Sequence, residues 1–135
     1  MAIEKAIASL VLADQKINSL IGDRFYPVGV PQEDPLPAAT YQLISSVREH
    51  TMDGPDGLVE ARIQINAWAA TYVDAFDLAN GLRLCLDGIG DTTVEGTYIS
   101  TVGLLDAADE PVIMPEDRSQ DAYGRRLDFT VWFKE

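Results

Sequence analysis

One cysteine and one histidine are all that this sequence offers to thiolate or imidazole chemistry. Cys85 stands alone inside an apolar helical pattern, which rules out an internal disulfide and a cysteine-built zinc site within one chain. A small buried hydrophobe is the simplest role for such a thiol. His50 sits beside Glu49 and Asp53 in "REHTMDG" with no second histidine and no metal-ligand spacing, so a polar hairpin side chain outweighs a ligand or catalytic base. Long apolar runs are missing too: none comes near the roughly 18 residues that cross a bilayer. "AIASLVLA" lies between Lys5 and Asp14 and lacks the basic start and cleavage site of a secretory signal, so the chain reads as soluble and unexported. Basic residues are scarce, 10 against 22 acidic ones, for a formal net charge of -12. A surface of that sign repels nucleic-acid phosphates and anionic membranes, which excludes gripping either. It is compatible with an acidic wall past which DNA slides without sticking.

The usual signatures of reaction chemistry are also absent. "GIGD" at Gly88–Asp91 follows a helical pattern and lacks the downstream Lys and Ser/Thr of a phosphate loop. "DGPDG" resembles a calcium loop only in composition, and turn chemistry explains its glycines more simply. Ser45, Ser46, Ser100 and Ser119 have neither a nucleophile-elbow context nor a histidine nearby in sequence. The neighbours Asp109 and Glu110, or Glu116 and Asp117, are too common in an acidic stretch to nominate a glycosidase pair. No residue is assigned a catalytic, cofactor-binding or metal-binding role.

What is present suits one domain spanning 1–135, because 135 residues with 47% hydrophobic content build a single ordinary core. Residues 3–21 place Ile3, Ala6, Ile7, Leu10, Val11, Ile17, Leu20 and Ile21 at helical spacings, with Gly22 as the stop. The proline-rich "RFYPVGVPQEDPLP" reads as an extended connector. Ala38–Val47 predicts a strand with Tyr41 and Leu43 on one face and Gln42 and Ile44 on the other. "REHTMDGPDG" then reads as the polar tip of a long hairpin projecting from the body. "VEARIQINAW" alternates most clearly, Val59, Ala61, Ile63, Ile65 and Ala67 against Glu60, Arg62, Gln64, Asn66 and Trp68.

At Thr71 the period changes: this residue caps a helix whose buried stripe is read as Val73, Phe76, Ala79, Leu82 and Leu86, widened by Ala75 and Leu78. "TVEGTYISTVGLLDA" is a strand candidate with Gly96 and Gly103 as bends or bulges. Residues 106–121 hold six acidic residues against Arg118 and read as an acidic loop, either solvated or facing a partner or channel through Asp109, Glu110, Glu116 and Asp117. The final "RRLDFTVWFK" lines Leu127, Phe129, Val131 and Phe133 on one face. The expectation is an α+β fold in the order helix, strand, strand, helix, strand, strand. Its mainly antiparallel four-stranded sheet carries two helices packed on one face.

Trp68 and Trp132 fall on the nominally polar strand faces, beside Arg62 and Arg126. They suit either a contact with each other across the sheet or an interface between subunits. With His50, Asp53, Gly54 and Asp56 of the hairpin, these residues form the candidate assembly surface.

The run "LIGDRFYPVGVPQEDPLPAATYQLIS", followed by "MDGPDGLVEARIQINAWAATYVDAFDLANGLRLCL" and "RRLDFTVWF", resembles the small tail-completion or tail-to-head joining proteins of long-tailed bacteriophages and prophages. The resemblance covers roughly Leu20 to Phe133, and the order and spacing of its pieces carry it. It places Arg24, Tyr26 and Pro27 in the family-like connector, Asp53 and Gly54 at the hairpin, Arg62, Trp68 and Ala69 along the strand-to-helix passage, and Asp128, Phe129 and Trp132 in the last strand.

The resemblance implies a structural virion protein with no enzymatic activity and no cofactor. It implies a homo-oligomeric ring, commonly hexameric, at the head-proximal end of the tail, made in the host cytoplasm. Its partners would be the tail-tube protein and a head connector or head-completion protein, with DNA passing through and no membrane involved. Two readings from other classes stand beside it: a non-viral acidic dimeric binding module, and a small hydrolase that gathers His50 or two acids into a cleft.

Overall fold

The computed structural model describes residues 2–30, 35–51, 54–113 and 122–134, with side chains for all of these except 2, 49–51, 54–56 and 110–113. The described order is α1 (Ala2–Ala13), α2 (Gln15–Ile21), β1 (Phe25–Pro27), β2 (Ala38–Thr51), β3 (Gly54–Ala69), α3 (Tyr72–Leu86), β4 (Gly90–Val94), β5 (Thr97–Ile113) and β6 (Ala122–Lys134). The strands form one six-stranded sheet in the order β1-β2-β3-β6-β5-β4. It is mixed, because β1 runs parallel to β2 while the other neighbours are antiparallel. The sheet curls into a half-barrel. Register shifts between Leu43 and Ser45, Ile99 and Thr101, and Leu104 and Asp106 mark β-bulges, which bend a strand and strengthen its twist.

This architecture corrects the expected four strands and two helices. The single helix over 3–21 is two helices, because Asp14 takes extended backbone (φ -76°, ψ 122°) and its side chain accepts a hydrogen bond from the Ile17 N–H at 3.1 Å. A short carboxylate that caps a new helix competes with continuation of the old one. Gly22 does stop α2, at φ 60°. The proline-rich connector contains β1, whose three residues pair with Ala39–Tyr41 and are too few to show a period. Glu95 and Gly96, at φ 52° and 79°, form the two-residue turn between β4 and β5, with Val94 opposite Thr97. Gly96 is therefore a hairpin turn and not a bend inside one strand.

The acidic stretch differs as well. Asp106–Ile113 is strand, not loop, paired along β6 from Asp106↔Asp128 to Ile113↔Ala122. Asp109 lies directly opposite Arg125, and Asp106, which is opposite Asp128, forms an ion pair with the diagonal Arg126 at 3.5 Å, so both acids have a basic partner on β6. Residues 114–121, with Glu116 and Asp117, lie outside the described residues.

The core sits between the helices and one face of the sheet. Val59, Ala61, Ile63, Ile65 and Ala67 of β3 and Leu127, Phe129, Val131 and Phe133 of β6 are all buried, as their alternation requires. Ile3, Ile7, Val11, Ile17 and Ile21 come from the two N-terminal helices, and Leu78, Leu82 and Leu86 from α3. Each larger side chain contributes about 1.5–3 kcal/mol before ordering costs. The Thr71 side chain accepts from the Asp74 N–H at 3.2 Å, as the cap predicts. Of the stripe expected on α3, Ala75, Leu78, Ala79, Leu82 and Leu86 are buried and Gly81 joins them, whereas Val73 is 65% and Phe76 45% exposed. Both exposed residues lie in the first turns of the helix, where helical spacing alone does not fix how far the stripe is covered.

Candidate functional site

Two regions concentrate polar chemistry. The first lies where the start of α3 meets the paired ends of β5 and β6. The Tyr72 hydroxyl donates to the Asp109 carboxylate at 3.1 Å, and Arg125 Nη1 donates to the same carboxylate at 2.8 Å. The Arg125 guanidinium lies 5.1 Å from the centre of the Phe76 ring. Tyr72 and Phe76 are one helical turn apart, so one face of α3 offers both. Arg125 has the parity of Leu127 and Phe129, which points it to the helix side at the end of the core.

Next to this cluster is an open pocket of about 260 Å³ lined by Phe76, Ala79, Asn80, Arg83, Ala107, Arg125 and Leu127. Arg83 Nη2 donates to Asn80 Oδ1 at 2.9 Å. This lining contains no carboxylate and no nucleophile. The one carboxylate of the cluster is already engaged by a phenol and a guanidinium. Such an arrangement ties the start of α3 to the β5–β6 pair.

The second region is the polar face of the sheet, away from the helices. Arg62, Trp68, Arg126 and Trp132 share it, as their alternation predicts, but the two tryptophans do not meet. Trp132 is opposite Glu60 and Thr101, whereas Trp68 is opposite Ala38 and Gly124. Their positions differ by eight residues along β3, on the order of 26 Å at the rise of a strand. The cross-sheet contact between them, one of the two alternatives their positions allowed, is overturned. Trp68 instead covers Gly124, where a built Cβ would overlap its six-membered ring. Arg126 forms ion pairs with Asp106 at 3.5 Å and Asp128 at 3.4 Å, while Arg62 is exposed opposite Ser45 and Thr130.

The hairpin residues are placed only by their backbone. β2 runs to Thr51, β3 begins at Gly54, and these two pair directly. His50 and Asp56 therefore lie on strands and not in a long polar loop; their side chains, that of Glu110 on β5, and all of Asp53 lie outside what is described. Among the described residues no group of His, Cys, Asp or Glu is arranged to hold a metal ion, and no helix is long and apolar enough to cross a membrane.

Cys85 is half-buried and donates weakly to the Leu10 carbonyl at 3.6 Å. Burial, and then the charge and hydrogen bonding of Asp14, push its thiol up to about 11. A thiol so raised is protonated at neutral pH and is a poor nucleophile. Tyr98, whose hydroxyl donates to Asp91 at 2.8 Å, is raised chiefly by that bond.

Sequence reasoning missed Tyr72, Phe76, Asp106 and Arg125. The helix-start spacing of Tyr72 and Phe76 was visible, but the Asp109–Arg125 pair needs the register of a strand that the acidic composition concealed.

Residues 5–134 match the family described as "Tail completion protein gp17". Comparison with curated protein sequences gives no match. Among solved structures, a chain from the "virion of native gene transfer agent (GTA) particle" has a TM-score of 0.68 at 19% identity, covering 98% of this chain and 95% of that one. That likeness establishes a shared fold.

Proposed function

The chain belongs to the Tail completion protein gp17 family, a family of phage tail structural proteins, and on that premise we propose that it forms a ring at the head-proximal end of the tail tube. The ring, hexameric in this reading, ends tube growth and joins the tail to a head connector or head-completion protein.

The observation that carries this reading is that two hairpins leave the sheet at opposite ends. Among the described residues β6 pairs with β3 as far as Lys134↔Leu58, and the β2–β3 pair is described from there on to Thr51 and Gly54. At the other end β3 stops at Ala69 opposite Tyr123, while β5 and β6 continue to the Ile113↔Ala122 pair. A joining protein needs two separate surfaces, one for each partner. Strands that outrun their neighbours supply rigid surfaces at both ends of one subunit.

Identical subunits that close by rotation use heterologous contacts, and closure prevents continued polymerisation. The net charge of -12 supports passage of DNA without adhesion. The Tyr72–Asp109–Arg125 cluster supports a structural role, since it is built to brace α3 against the β5–β6 hairpin.

Mass measurement of the assembled protein beside a folding assay tests the ring. Alanine replacements at His50, Asp53 and Asp56 should weaken assembly while leaving the unfolding midpoint of the monomer almost unchanged. Unchanged mass and affinity in all of these variants would remove the hairpin from the assembly.

A further inference from the structure

Val28, just past the end of β1, holds φ at 69° and is 72% exposed. A β-branched residue is an outlier in that left-handed region, which glycine enters without strain. The turn itself uses only the backbone, where the Val28 N–H donates to the Tyr41 carbonyl at 2.8 Å. A strained, exposed aliphatic serves such a turn no better than glycine does, and strain of this kind gathers where a side chain has a task. The margin around Val28 offers no ladder to a further strand. Pro27 has no N–H and its carbonyl accepts from the Gly29 N–H, while the Phe25 N–H is taken by the Asp23 carbonyl, both at 2.8 Å. What this margin presents to a neighbour is a side chain.

The open pocket beside α3 is the complementary feature. Ala79, Ala107 and Leu127 give it apolar walls together with the part-exposed Phe76, and its volume of about 260 Å³ has room for a branched aliphatic side chain. It lies over a stretch of β5 that has no outer neighbour among the described residues, because β4 pairs with β5 only along Thr97–Thr101.

The register sets the two features on one row. Ala107 is opposite Leu127, Leu127 opposite Ile65, Ile65 opposite Tyr41, and Tyr41 opposite Pro27, the residue before Val28. β1 is one margin of the sheet and the pocket lies toward the other. Rotation about an axis along the strands leaves height unchanged. It therefore brings the β1 margin of one copy to the pocket of the next at the same level.

Charge favours this pair of surfaces. Arg125 is neutralised by Asp109, but the Arg83 side chain bonds only to the neutral Asn80 among the described residues, and the pocket lining holds no carboxylate. The connector over 22–37 carries Asp23, Glu33 and Asp34 against the single Arg24. In a chain of net charge -12 most pairs of surfaces repel, whereas an acidic connector brought toward Arg83 is attracted.

We infer that Val28 of one copy of this chain inserts into the pocket between Phe76, Ala107 and Leu127 of the next. This contact rests on the ring reading above and supplies a subunit interface for it. It is heterologous: each subunit offers Val28 at one margin and the pocket at the other, so every contact is satisfied only when the ring closes.

Two variants test it. Val28→Gly removes the side chain and relieves the left-handed backbone, so the monomer should be at least as stable as the parent while association weakens roughly 10-fold or more. A side chain that served only the turn would give no such split. Asn80→Trp, at a half-buried position of the lining, should fill the pocket and weaken association by a similar factor. An equimolar mixture of the two should form a dimer and stop there, because one intact Val28 meets one intact pocket.

Rings formed equally well by both variants would overturn the contact and leave the ring. Intact rings of Asn80→Trp that no longer bind the tube or the connector would give the pocket to another partner, which also overturns the contact. An unaltered protein that stays monomeric at high concentration and on tail tubes would overturn both readings.

Discussion

The indole of Trp68 occupies the space that a Cβ on Gly124 would need, across the β3–β6 pair. Glycine is required there for close approach and not for an unusual backbone angle. Gly124→Ala should therefore destabilise by about 1–3 kcal/mol, as overpacking does. Trp68→Ala removes the obstacle, so the double variant should be less destabilised than the sum of the two single ones. Urea unfolding of the four proteins measures this coupling.

Asp109 and Arg125 tie the β5–β6 hairpin together, and Tyr72 ties α3 to the same carboxylate. The Asp109 side chain is about half exposed, so solvent screening keeps the pair modest. A double-mutant cycle of Asp109→Asn and Arg125→Gln should give a coupling of about 0.2–1 kcal/mol that shrinks as salt is raised. A coupling insensitive to salt would contradict this description of the cluster.

Asp14 has two consequences from one carboxylate. It caps α2 through the Ile17 N–H, and it helps hold the Cys85 thiol up at about 11. Asp14→Ala should cost about 0.5–2 kcal/mol of stability from loss of the cap. It should also lower the Cys85 value, since removing a nearby anion favours the thiolate. The pH profile of Cys85 alkylation in the folded variant should move to lower pH, while burial keeps it above that of the unfolded chain.

The same thiol sets a sign for alkaline stability. Its ordinary value of 9.0 is raised to about 11 on folding, so between those pH values the folded chain holds a proton that the unfolded chain has lost. Stability from this group is fully present below pH 9.0 and declines as pH rises through about 11. Equilibrium unfolding across that window should show the decline, and Cys85→Ala should flatten it.

How far the sequence foretold the structure depended on where one face of an element is buried and the other wet. β3 and β6 were legible for that reason: Val59 to Ala67 and Leu127 to Phe133 could alternate in only one way. Thr71 was legible because a cap is a local hydrogen bond. The split at Asp14 was not, since residues on both sides of it continue the same apolar stripe.

β1 and β4 are too short to show a period, and β5 beyond Leu104 was hidden by acids whose partners, Arg125 and Arg126, lie across the strand pair and not nearby in sequence. Of the candidate site, Arg62, Trp68, Arg126 and Trp132 share one sheet face, which alternation alone could tell. Their mutual distances depend on register, which composition does not supply; the two tryptophans are eight β3 positions apart as a result.

The central claim is that a ring of this chain caps the head-proximal end of the tail tube. Electron microscopy of tubes grown from the cognate tube protein, with and without the purified protein, tests it most directly. The account predicts a ring at one end of each tube and no further lengthening once it is in place. Bare tube ends and continued growth in the presence of excess protein would contradict it.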